Sequence, residues 1–356
     1  MIVTFNVRIF QRLSSIKNLV KVLLVASKSD FEEDVSRVTG IGRYAREIYR
    51  GLKSSGIDVY TYPIYDYSSF TSSVLSSVKA ILHNYADYDI VHLLSPKPFF
   101  PLRKGRAKWV TTVHDLFFLK YKESRPSPLM EKLYLRSILG SDSIIAVSSL
   151  VKEDVERLGY KGRVYVVNPG IGEEFFTTPR KERKERNVIK IGYIGRLDSE
   201  RKDVVRGIRA FKKLKEENVV FELWGSYNPS SAIFKEIIKE AKDDPRIRIM
   251  GPAPDEKIIE IYDSFDAFFF PTKEEGFGLP IVEAQARGVP VIVFKDARVP
   301  PEVCEMCITA NDELPDPEYI ASFRENNYLK LIEFSSKFTI ENQIKKLMIV
   351  YSYIIS

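Results

Sequence analysis

Two glutamates with a glycine turn between them are the residues of this sequence best suited to chemistry. Glu275 and Glu283 stand eight positions apart, and Gly276, Gly278 and Pro280 lie between them. Glycine has no Cβ, so the backbone of a Gly-x-Gly turn can come close to a ligand. Proline fits the first position of a helix, where its missing N–H breaks no hydrogen bond. The sequence therefore predicts a ligand-facing turn that leads directly into a helix.

The predicted helix would offer an anion site at its first turn. Free N–H groups at Leu279 and Ile281, together with the helix dipole, would attract phosphate, and Gly288-Val289-Pro290 would end the helix. Glu283 would sit one turn into the helix, with Glu275 in the loop before it. The pattern predicts a pyrophosphate site flanked by two hydroxyl-binding carboxylates, which suits a nucleotide-sugar. The alternative is a solvated glutamate on a helix that follows a glycine turn.

Length and composition describe a globular chain. A length of 356 residues suggests two domains of ordinary size. A hydrophobic content of 44% and a charged content of 29% exclude a disordered chain. The net charge of +6 is too small to indicate a nucleic-acid partner, although it suits an anionic donor or a lipid surface. No uncharged apolar run approaches the roughly 18 residues that cross a bilayer, and no secretory signal is evident, so the cytoplasm is the expected location.

Short apolar runs alternate with helical patterns along the whole chain. Six runs in the first half are predicted to be strands, at 21–26, 58–62, 89–94, 109–113, 143–148 and 163–168. Five more follow in the second half, at 188–195, 219–225, 246–250, 266–271 and 289–294. Continuously apolar strands separated by helices predict parallel sheets covered on both faces. The expected fold class is α/β, with two doubly wound Rossmann-like domains that face a cleft and bind ligands at the carboxyl ends of their strands.

Domain boundaries follow from changes in composition. Residues 1–19 precede the first strand as an extension, and residues 177–187 form a charged linker without apolar periodicity. The two domains are expected over residues 20–176 and 188–338. The closing segment, residues 339–356, is predicted to be a helix because five of its side chains share one apolar face: Ile340, Ile344, Leu347, Met348 and Tyr351.

Two cations follow the first predicted strand of the second half. That strand ends at Gly195-Arg196, and Lys202 comes six residues after Arg196. Cations just beyond the carboxyl end of a strand are placed to neutralise a leaving diphosphate. Taken singly, each is better explained as a solvated surface charge, and no role is predicted for the adjacent Arg201.

A glycine string near the N-terminus has two interpretations. Gly40 and Gly42 belong to a Gly-x-Gly-x-x-Ala pattern, which also suits the dinucleotide fingerprint of a dehydrogenase. That fingerprint directly follows its strand, whereas thirteen residues separate Ala26 from Gly40. The pattern therefore favours a long loop that enters a helix, with a dehydrogenase as the less favoured alternative.

His114 is the histidine placed best for chemistry. It directly follows the predicted strand 109–113, and of the three histidines only His114 ends a strand at the expected mouth of the cleft. A lone histidine is more often a packed or surface residue, and His92, in mid-strand, is expected to be buried.

Together these motifs resemble the retaining glycosyltransferases of the GT-B fold, the large family 4 group. The likeness covers roughly residues 20 to 310 and includes the Glu-x7-Glu spacing and the Gly-Arg…Lys run. It implies that Glu275 and the following glycines hold the transferred sugar and that Glu283 binds the ribose. It also implies that Arg196 and Lys202 bind the donor phosphates and that His114 contacts the donor sugar. The implied catalytic residues are His114, Glu275, Arg196 and Lys202.

The same resemblance extends to the backbone and to the domains. It implies a nucleotide-sugar-binding second domain, an acceptor-binding first domain and a closing helix that crosses back to the first domain. Periodicity alone would equally let that helix pack on the second domain. Donor binding is further expected at a set of largely backbone positions: Gly40, Gly42, Gly195, Gly276, Phe277, Gly278, Leu279 and Ile281.

The implied reaction transfers a hexosyl unit, mannose or glucose, from a UDP- or GDP-sugar to a glycan or lipid-linked acceptor with retention. Catalysis would consist of stabilising the leaving diphosphate and fixing the sugar, since no motif side chain is placed for a covalent intermediate. The rival within this fold is a non-catalytic glycosyltransferase-like subunit. Such a subunit should lack a donor-site residue, and none is missing here.

No metal and no cofactor are expected. Asp87-Tyr88-Asp89 is an Asp-x-Asp string, which binds a metal in another glycosyltransferase fold, but here it precedes a strand and is interpreted as a strand-start charge pair. Arg196, Lys202 and the helix dipole are expected to take the place of a metal. Cys304 and Cys307 form one Cys-x-x-Cys, which cannot supply four zinc ligands and indicates packing or an incidental disulfide rather than a redox role.

The acceptor features are weaker. Arg43, Tyr44, Tyr62 and Tyr65 are the candidates, because aromatic faces stack on sugar rings or lipid, although a Tyr-rich loop can also simply cap a core. Residues 99–108 mix apolar and basic side chains, as a membrane-surface patch or a solvated basic loop would.

The N-terminal extension also has several interpretations. Ile9, Leu13, Ile16 and Val20 fall on one helical face, with basic residues mostly elsewhere. Such a helix suits the interface of an anionic membrane. The alternatives are a passenger peptide added by an upstream start codon and a helix packed on the surface of its own domain.

Overall fold

Two parallel sheets, one in each of two units of the chain, form the frame of the structure. The computed structural model describes residues 20–31, 40–64, 83–96, 105–178 and 188–356. Unit 1 comprises Met1–Gly170 with Ile340–Ser356, and unit 2 comprises Ile171–Thr339. Among the described residues, no helix has the length and apolar character needed to span a membrane.

The sheet of unit 1 has the order β2-β1-β3-β4-β5-β6, with every neighbouring pair parallel. Its strands are β1 (Lys21–Ser27), β2 (Asp58–Ile64), β3 (Ile90–Leu93), β4 (Lys108–Val113), β5 (Ser143–Ala146) and β6 (Arg163–Val166). All six predicted strands of the first half are confirmed. β1, β3, β4 and β5 are almost entirely buried, as continuously apolar strands of a parallel sheet should be.

The sheet of unit 2 has the order β12-β11-β10-β7-β8-β9 and is also parallel. Its strands are β7 (Ile189–Ile194), β8 (Val219–Trp224), β9 (Ile247–Gly251), β10 (Ala267–Phe269), β11 (Val291–Phe294) and β12 (Ile308–Ala310). Five of these were predicted. The edge strand β12 was missed because its three residues are too short to show a pattern.

Helices cover both sheets, and several begin at side-chain caps that the sequence displays. Ser127, Ser148 and Asp316 each accept a hydrogen bond from a backbone N–H in the first turn of the helix that follows. The helices are α1 (Lys28–Phe31), α2 (Gly40–Ser54), α3 (Pro128–Leu139), α4 (Ser149–Arg157), α5 (Glu174–Thr177), α6 (Val204–Phe211), α7 (Ala232–Ala241), α8 (Ile258–Ser264), α9 (Leu279–Ala286), α10 (Pro301–Cys304), α11 (Pro317–Ser335) and α12 (Ile340–Ile355).

The units meet after Gly170, six residues before the expected domain end at residue 176. Ile171 pairs with Thr339 in a parallel bridge, and its N–H donates to the Phe338 carbonyl at 2.8 Å. The chain has therefore joined unit 2 before α5 begins. Of the predicted linker, residues 179–187 lie outside the described residues.

The C-terminal helix α12 belongs to unit 1, as the resemblance implies. Its apolar face joins the core formed by β1, β3 and α2 through Ile344, Leu347, Met348 and Tyr351. Gln343 on the same helix accepts a hydrogen bond from the Gly170 N–H at 2.8 Å. The last helix of the chain thus completes the core of the first unit.

Candidate functional site

Glu275 lies in the segment that follows β10, at the carboxyl end of the unit 2 sheet. The segment is held by backbone hydrogen bonds in both directions: the Arg298 N–H donates to the Lys273 carbonyl at 2.7 Å, and the Glu275 N–H donates to the Arg298 carbonyl at 3.0 Å. Because its backbone is fixed on both sides, the carboxylate of Glu275 has a defined direction.

Three donors converge on one carboxylate oxygen of Glu275, whose side chain is 8% exposed. Oε1 accepts from Arg201 Nη1 at 2.7 Å, from Lys202 Nζ at 2.8 Å and from the Thr272 hydroxyl at 2.7 Å. Among the described residues, no hydrogen bond reaches Oε2. Burial by itself would raise the pKa of Glu275, but the charges of Lys202 and Arg201 hold it below its usual value. Glu275 is therefore an ionised carboxylate with one oxygen fixed and the other available to hydroxyl groups of a ligand.

Lys202 ends a short 3₁₀ turn, Glu200–Lys202, that follows β7. Its ammonium also lies 4.4 Å from the centre of the Phe270 ring, a cation–π contact. Asp203 comes next with a left-handed backbone (φ 48°), the only described non-glycine residue with positive φ. Aspartate is among the residues that adopt this conformation most readily, and the turn directs the chain from Lys202 into α6. The structure thus places Lys202 as predicted, at the carboxyl end of a strand.

Arg196 lies elsewhere. Its guanidinium donates to Asp198 Oδ1 at 2.7 Å and is 66% exposed, and it is not among the described residues that donate a hydrogen bond to the Glu275 carboxylate. The hydrogen bond from Arg196 lowers the pKa of Asp198. A Cβ at position 195 would lie 2.6 Å from the Tyr193 hydroxyl, so any other residue there would require the Tyr193 side chain to shift. Of the two predicted cations, the structure therefore brings Lys202 to Glu275 and leaves Arg196 on Asp198.

The predicted glycine turn between the two glutamates leads directly into a helix, as expected. Gly278 precedes α9 with a φ of 97°, a conformation that favours glycine. Pro280 is the second residue of the helix rather than the first, and Gly288, with φ 63°, follows its end. The chain therefore turns sharply into α9, so that the first N–H groups of the helix lie beside the Gly-x-Gly turn.

Two of the predicted donor-binding residues, Phe277 and Ile281, make contacts within unit 2. The Ile281 N–H donates to the Gly278 carbonyl at 2.9 Å, so the prediction that it is free for phosphate was wrong. The tight turn at Gly278 brings that carbonyl within reach. The Phe277 side chain is buried and packs edge-to-face on Phe338 with ring centres 5.4 Å apart, so it stabilises the turn. Of the remaining positions of the motif, Gly276 and Gly278 are buried and Leu279 is partly buried.

Glu283 is buried one turn into α9. The Tyr262 hydroxyl, from α8, donates to its Oε2 at 2.8 Å. The end of α9 is fixed by Arg287, which forms a two-bond ion pair with Asp263 at 2.8 and 2.9 Å and also donates to the Phe175 carbonyl. Because α8 and α5 are joined to α9 by these bonds, Glu283 sits on a rigidly held helix.

In unit 1, His114 directly follows β4, at the carboxyl end of the sheet. Its Nε2 lies 2.8 Å from the Leu94 carbonyl, which accepts a hydrogen bond from that nitrogen. Its ring packs edge-to-face on Tyr44 with centres 4.7 Å apart. His114 is only partly buried.

Tyr44 is a core residue, which corrects its assignment to the acceptor. It is buried, and its hydroxyl lies 3.4 Å from the Thr112 hydroxyl. Burial raises the pKa of Tyr44 to about 12. Because this ring is covered, it cannot stack on an acceptor sugar in the described arrangement. It supports His114 instead.

The remaining unit 1 candidates are dispersed. Gly40 and Gly42 begin α2, and Arg43 pairs with Glu47 one turn later at 3.3 Å. Tyr62 is partly buried and packs against His83 with ring centres 5.0 Å apart. Tyr65, most of the basic stretch 99–108 and residues 1–19 lie outside the described residues. Of the described candidates, Gly40, Gly42 and Arg43 lie on α2 and Tyr62 lies on β2.

The Asp-x-Asp string lies at the start of a strand, as predicted. Asp89 accepts a hydrogen bond from the Lys21 N–H at 2.8 Å and so joins the beginnings of β1 and β3. Among the described residues, no group of three or more possible metal ligands occurs. Cys304 and Cys307 are free thiols, and Cys307 packs against Gln285 of α9.

The fold is shared with solved structures. The chain is similar to a protein from Anabaena crystallised in complex with UDP and glucose, with a TM-score of 0.65 and 16% identity over 92% of this chain and 98% of that one. At this identity the likeness concerns the fold alone.

Two curated relatives are more similar in sequence. One is a D-inositol 3-phosphate glycosyltransferase of Corynebacterium urealyticum, 28% identical over 64% of this chain and 59% of the relative. The other is the O-antigen chain mannosyltransferase B of Escherichia coli, 27% identical over 65% of this chain and 63% of the relative. The matched part of the chain thus spans about three fifths of the length of these relatives.

Two family models cover most of the chain between them. "Glycosyltransferase Family 4" matches residues 59–175, and "Glycosyl transferases group 1" matches residues 174–311. The chain belongs to the GT-B glycosyltransferases of family 4. In this GT-B chain the two matches meet within a few residues of the boundary between unit 1 and unit 2.

The structure adds three residues to the site of this family 4 chain. Arg201 and Thr272 bind Glu275, and Tyr262 binds Glu283. No sequence motif indicates these three residues, because their contacts form only where separate segments of the chain meet in the fold. Arg201 has the one weak signal, since it stands next to Lys202 in a turn that the resemblance had already singled out.

Proposed function

We propose that this chain is a retaining glycosyltransferase that moves a hexosyl unit from a nucleoside diphosphate sugar to an acceptor. The observation that carries the proposal is that Glu275 is a buried, ionised carboxylate with hydrogen bonds from the described residues to one oxygen only. Its Oε1 is fixed by three donors, and its Oε2 receives no hydrogen bond from the described residues. A buried, ionised carboxylate with one open oxygen is suited to accept hydrogen bonds from two sugar hydroxyls.

The diphosphate would be bound by Lys202 and by the backbone at the start of α9. The ammonium of Lys202 is 11% exposed and lies directly on Glu275, so one turn of the chain presents both a cation and a sugar-binding carboxylate. The glycine turn allows a ligand to approach the first N–H groups of α9, where the helix dipole favours an anion. Stabilisation of the negative charge that develops on the leaving diphosphate would lower the barrier.

The nucleoside would be bound through its ribose by Glu283. Tyr262 occupies one oxygen of that carboxylate and so orients the other. A contact to ribose is present before and during the reaction, so it contributes to donor affinity more than to turnover. Contact of His114 with the donor sugar, and retention of configuration, are inferred from the family.

The donor and acceptor are proposed from the relatives' names. One relative is a mannosyltransferase, another acts on an inositol phosphate, and a structure of the same fold holds UDP and glucose. These support mannose or glucose, carried by GDP or UDP, and a glycan or lipid-linked acceptor. We also propose a cytoplasmic protein that attaches to the surface of an anionic membrane when its acceptor is in a lipid.

A panel of UDP- and GDP-linked hexoses, assayed by nucleotide released with and without glycan and lipid acceptors, tests the proposal. We expect one nucleotide-sugar to be turned over and Glu275→Gln to reduce that turnover by about a hundredfold or more. Glu222→Gln is the matched control, because Glu222 is equally buried and pairs with Lys190 at 2.8 Å. Nucleotide-sugar binding without any turnover would favour the non-catalytic subunit, and no binding at all would overturn the proposal.

A further inference from the structure

Under the proposed function, the Glu275 carboxylate and the donor diphosphate compete for the ammonium of Lys202. Lys202 Nζ lies 2.8 Å from Glu275 Oε1, while its proposed role is to bind the donor diphosphate. If Lys202 turned to the diphosphate and nothing replaced it, Glu275 would be a buried carboxylate without a cation. Such a charge is costly, by several kcal/mol in typical cases, and would resist the movement of Lys202.

Arg201 is placed to resolve this competition. Its Nη1 donates to Glu275 Oε1 at 2.7 Å and to the Glu274 carbonyl at 2.9 Å. Its own backbone carbonyl accepts a hydrogen bond from the Lys273 N–H at 2.8 Å. Arg201 is thus bound to the 273–275 segment both by its side chain and by its backbone.

The two neighbouring cations differ in the freedom of their side chains. A guanidinium is planar and donates in a fixed fork, so Arg201 can hold a carboxylate and a carbonyl together. An ammonium on a four-carbon stem is a mobile point charge. The Lys202 ammonium contacts the Phe270 ring and one oxygen of Glu275, whereas the Arg201 guanidinium holds a carboxylate and a carbonyl at once.

We infer that Arg201 is a positioning residue that keeps Glu275 ionised and in place while Lys202 moves to the donor diphosphate. The inference rests on the proposed function, because it presumes that Lys202 binds the diphosphate. Arg201 itself touches neither the sugar nor the phosphates. Its effect on the donor passes entirely through Glu275 and Lys202.

A double-mutant cycle on the affinity for UDP and GDP tests this route. The variants are Arg201→Gln, Lys202→Met and the double variant, measured by calorimetry on the full chain. Arg201→Gln should weaken binding of the preferred nucleotide by about tenfold or more, the usual effect of losing a hydrogen bond between charged groups. In the Lys202→Met background the same change should alter affinity by less than about threefold. Arg201 acts on the donor by allowing the Lys202 ammonium to leave Glu275, and that ammonium is absent from the Lys202→Met variant.

Two further variants separate charge from folding. Arg201→Lys keeps the cation next to Glu275 and should restore most of the affinity. Arg246→Gln is the matched control: Arg246 is 17% exposed against 18% for Arg201, and it likewise binds a carboxylate, Asp244, and a backbone carbonyl. We expect no change in nucleotide affinity for that control.

The pH profile of kcat/KM gives a second readout. Loss of one cation raises the pKa of Glu275, so the acid limb of the profile should move to higher pH in Arg201→Gln and stay in place in Arg201→Lys. A purely structural role would lower the melting temperature without moving this limb.

The outcomes distinguish the inference from the function on which it rests. If the wild-type chain binds neither UDP nor GDP, the proposed function fails first. If the wild-type chain binds and Arg201→Gln weakens binding equally in both backgrounds, Arg201 contacts the diphosphate directly and the inference is overturned. If Arg201→Gln leaves affinity unchanged in both backgrounds, the inference is overturned as well.

Discussion

His92 and Tyr351 share a hydrogen bond of 2.6 Å that ties the C-terminal helix to the middle of the unit 1 sheet. The other ring nitrogen of His92 lies 2.7 Å from the Thr112 hydroxyl, which in turn lies beside the Tyr44 hydroxyl. Tyr44 packs on His114. Hydrogen bonds from α12 through His92 and Thr112, and then ring packing between Tyr44 and His114, therefore connect the C-terminal helix to the histidine that is proposed to contact the donor sugar.

We expect this buried histidine to make stability depend on pH. Burial lowers the pKa of His92 from 6.5 to about 3, so the folded chain holds the ring neutral while the unfolded chain protonates it. Its contribution is complete above about pH 6.5 and is lost as the pH falls from there towards 3. Between pH 7 and pH 5 the loss should be about 2 kcal/mol of unfolding free energy, measurable by urea denaturation. His92→Gln should flatten this slope, and an unchanged slope would assign the effect to other groups.

Substitutions at Glu275 should affect stability as well as turnover. Glu275→Ala leaves Arg201 and Lys202 buried without their carboxylate, which typically destabilises by about 3 to 5 kcal/mol. Glu275→Gln keeps the shape and should separate the two effects: turnover falls about a hundredfold or more while the melting temperature falls less than in Glu275→Ala. Near-normal turnover in Glu275→Gln would exclude Glu275 from the donor site.

Much of this architecture can be predicted from the sequence, because a parallel α/β fold repeats a simple pattern. The strands, the glycine turn at Gly278 and the burial of His92 all follow from local apolar runs or from a fixed backbone requirement. What the sequence does not show is which side chains meet across segments. Arg201 and Arg196 look alike as charges near a strand end, yet one binds Glu275 and the other binds Asp198.

Glu283 and its tyrosine should control donor affinity. Glu283→Gln is expected to raise the KM for the nucleotide-sugar by about tenfold with a much smaller change in kcat, because a ribose contact serves the ground and transition states alike. Tyr262→Phe removes the hydrogen bond that orients Glu283 and should raise KM in the same direction but less. Tyr160→Phe is the matched control, since that buried hydroxyl donates to the Ser141 carbonyl, outside the site. A fall in kcat with unchanged KM would place Glu283 on the transferred sugar instead.

Turnover should not require a divalent metal. Lys202 and the start of α9 supply positive charge where a metal would otherwise bind a diphosphate, and Asp89 is engaged with the start of β1. Activity in excess EDTA is expected to stay within about threefold of that in magnesium. Loss of activity in the chelator, restored by manganese, would contradict this prediction and would make Asp87 and Asp89 candidate metal ligands.

Membrane attachment, if present, should depend on residues 1–19. Their apolar face and basic residues suit an anionic interface, but a single short helix anchors weakly without a second contact such as the basic stretch 99–108. Val20, assigned by periodicity to the same face, is instead 3% exposed in the unit 1 core, so a truncated chain should begin at Val20 to preserve that packing. Co-sedimentation with phosphatidylserine-containing vesicles is expected to be stronger for the full chain than for the form that begins at Val20, and to weaken with salt. Equal binding by both forms would assign the contact to another surface. Binding by neither form would favour an acceptor free in solution.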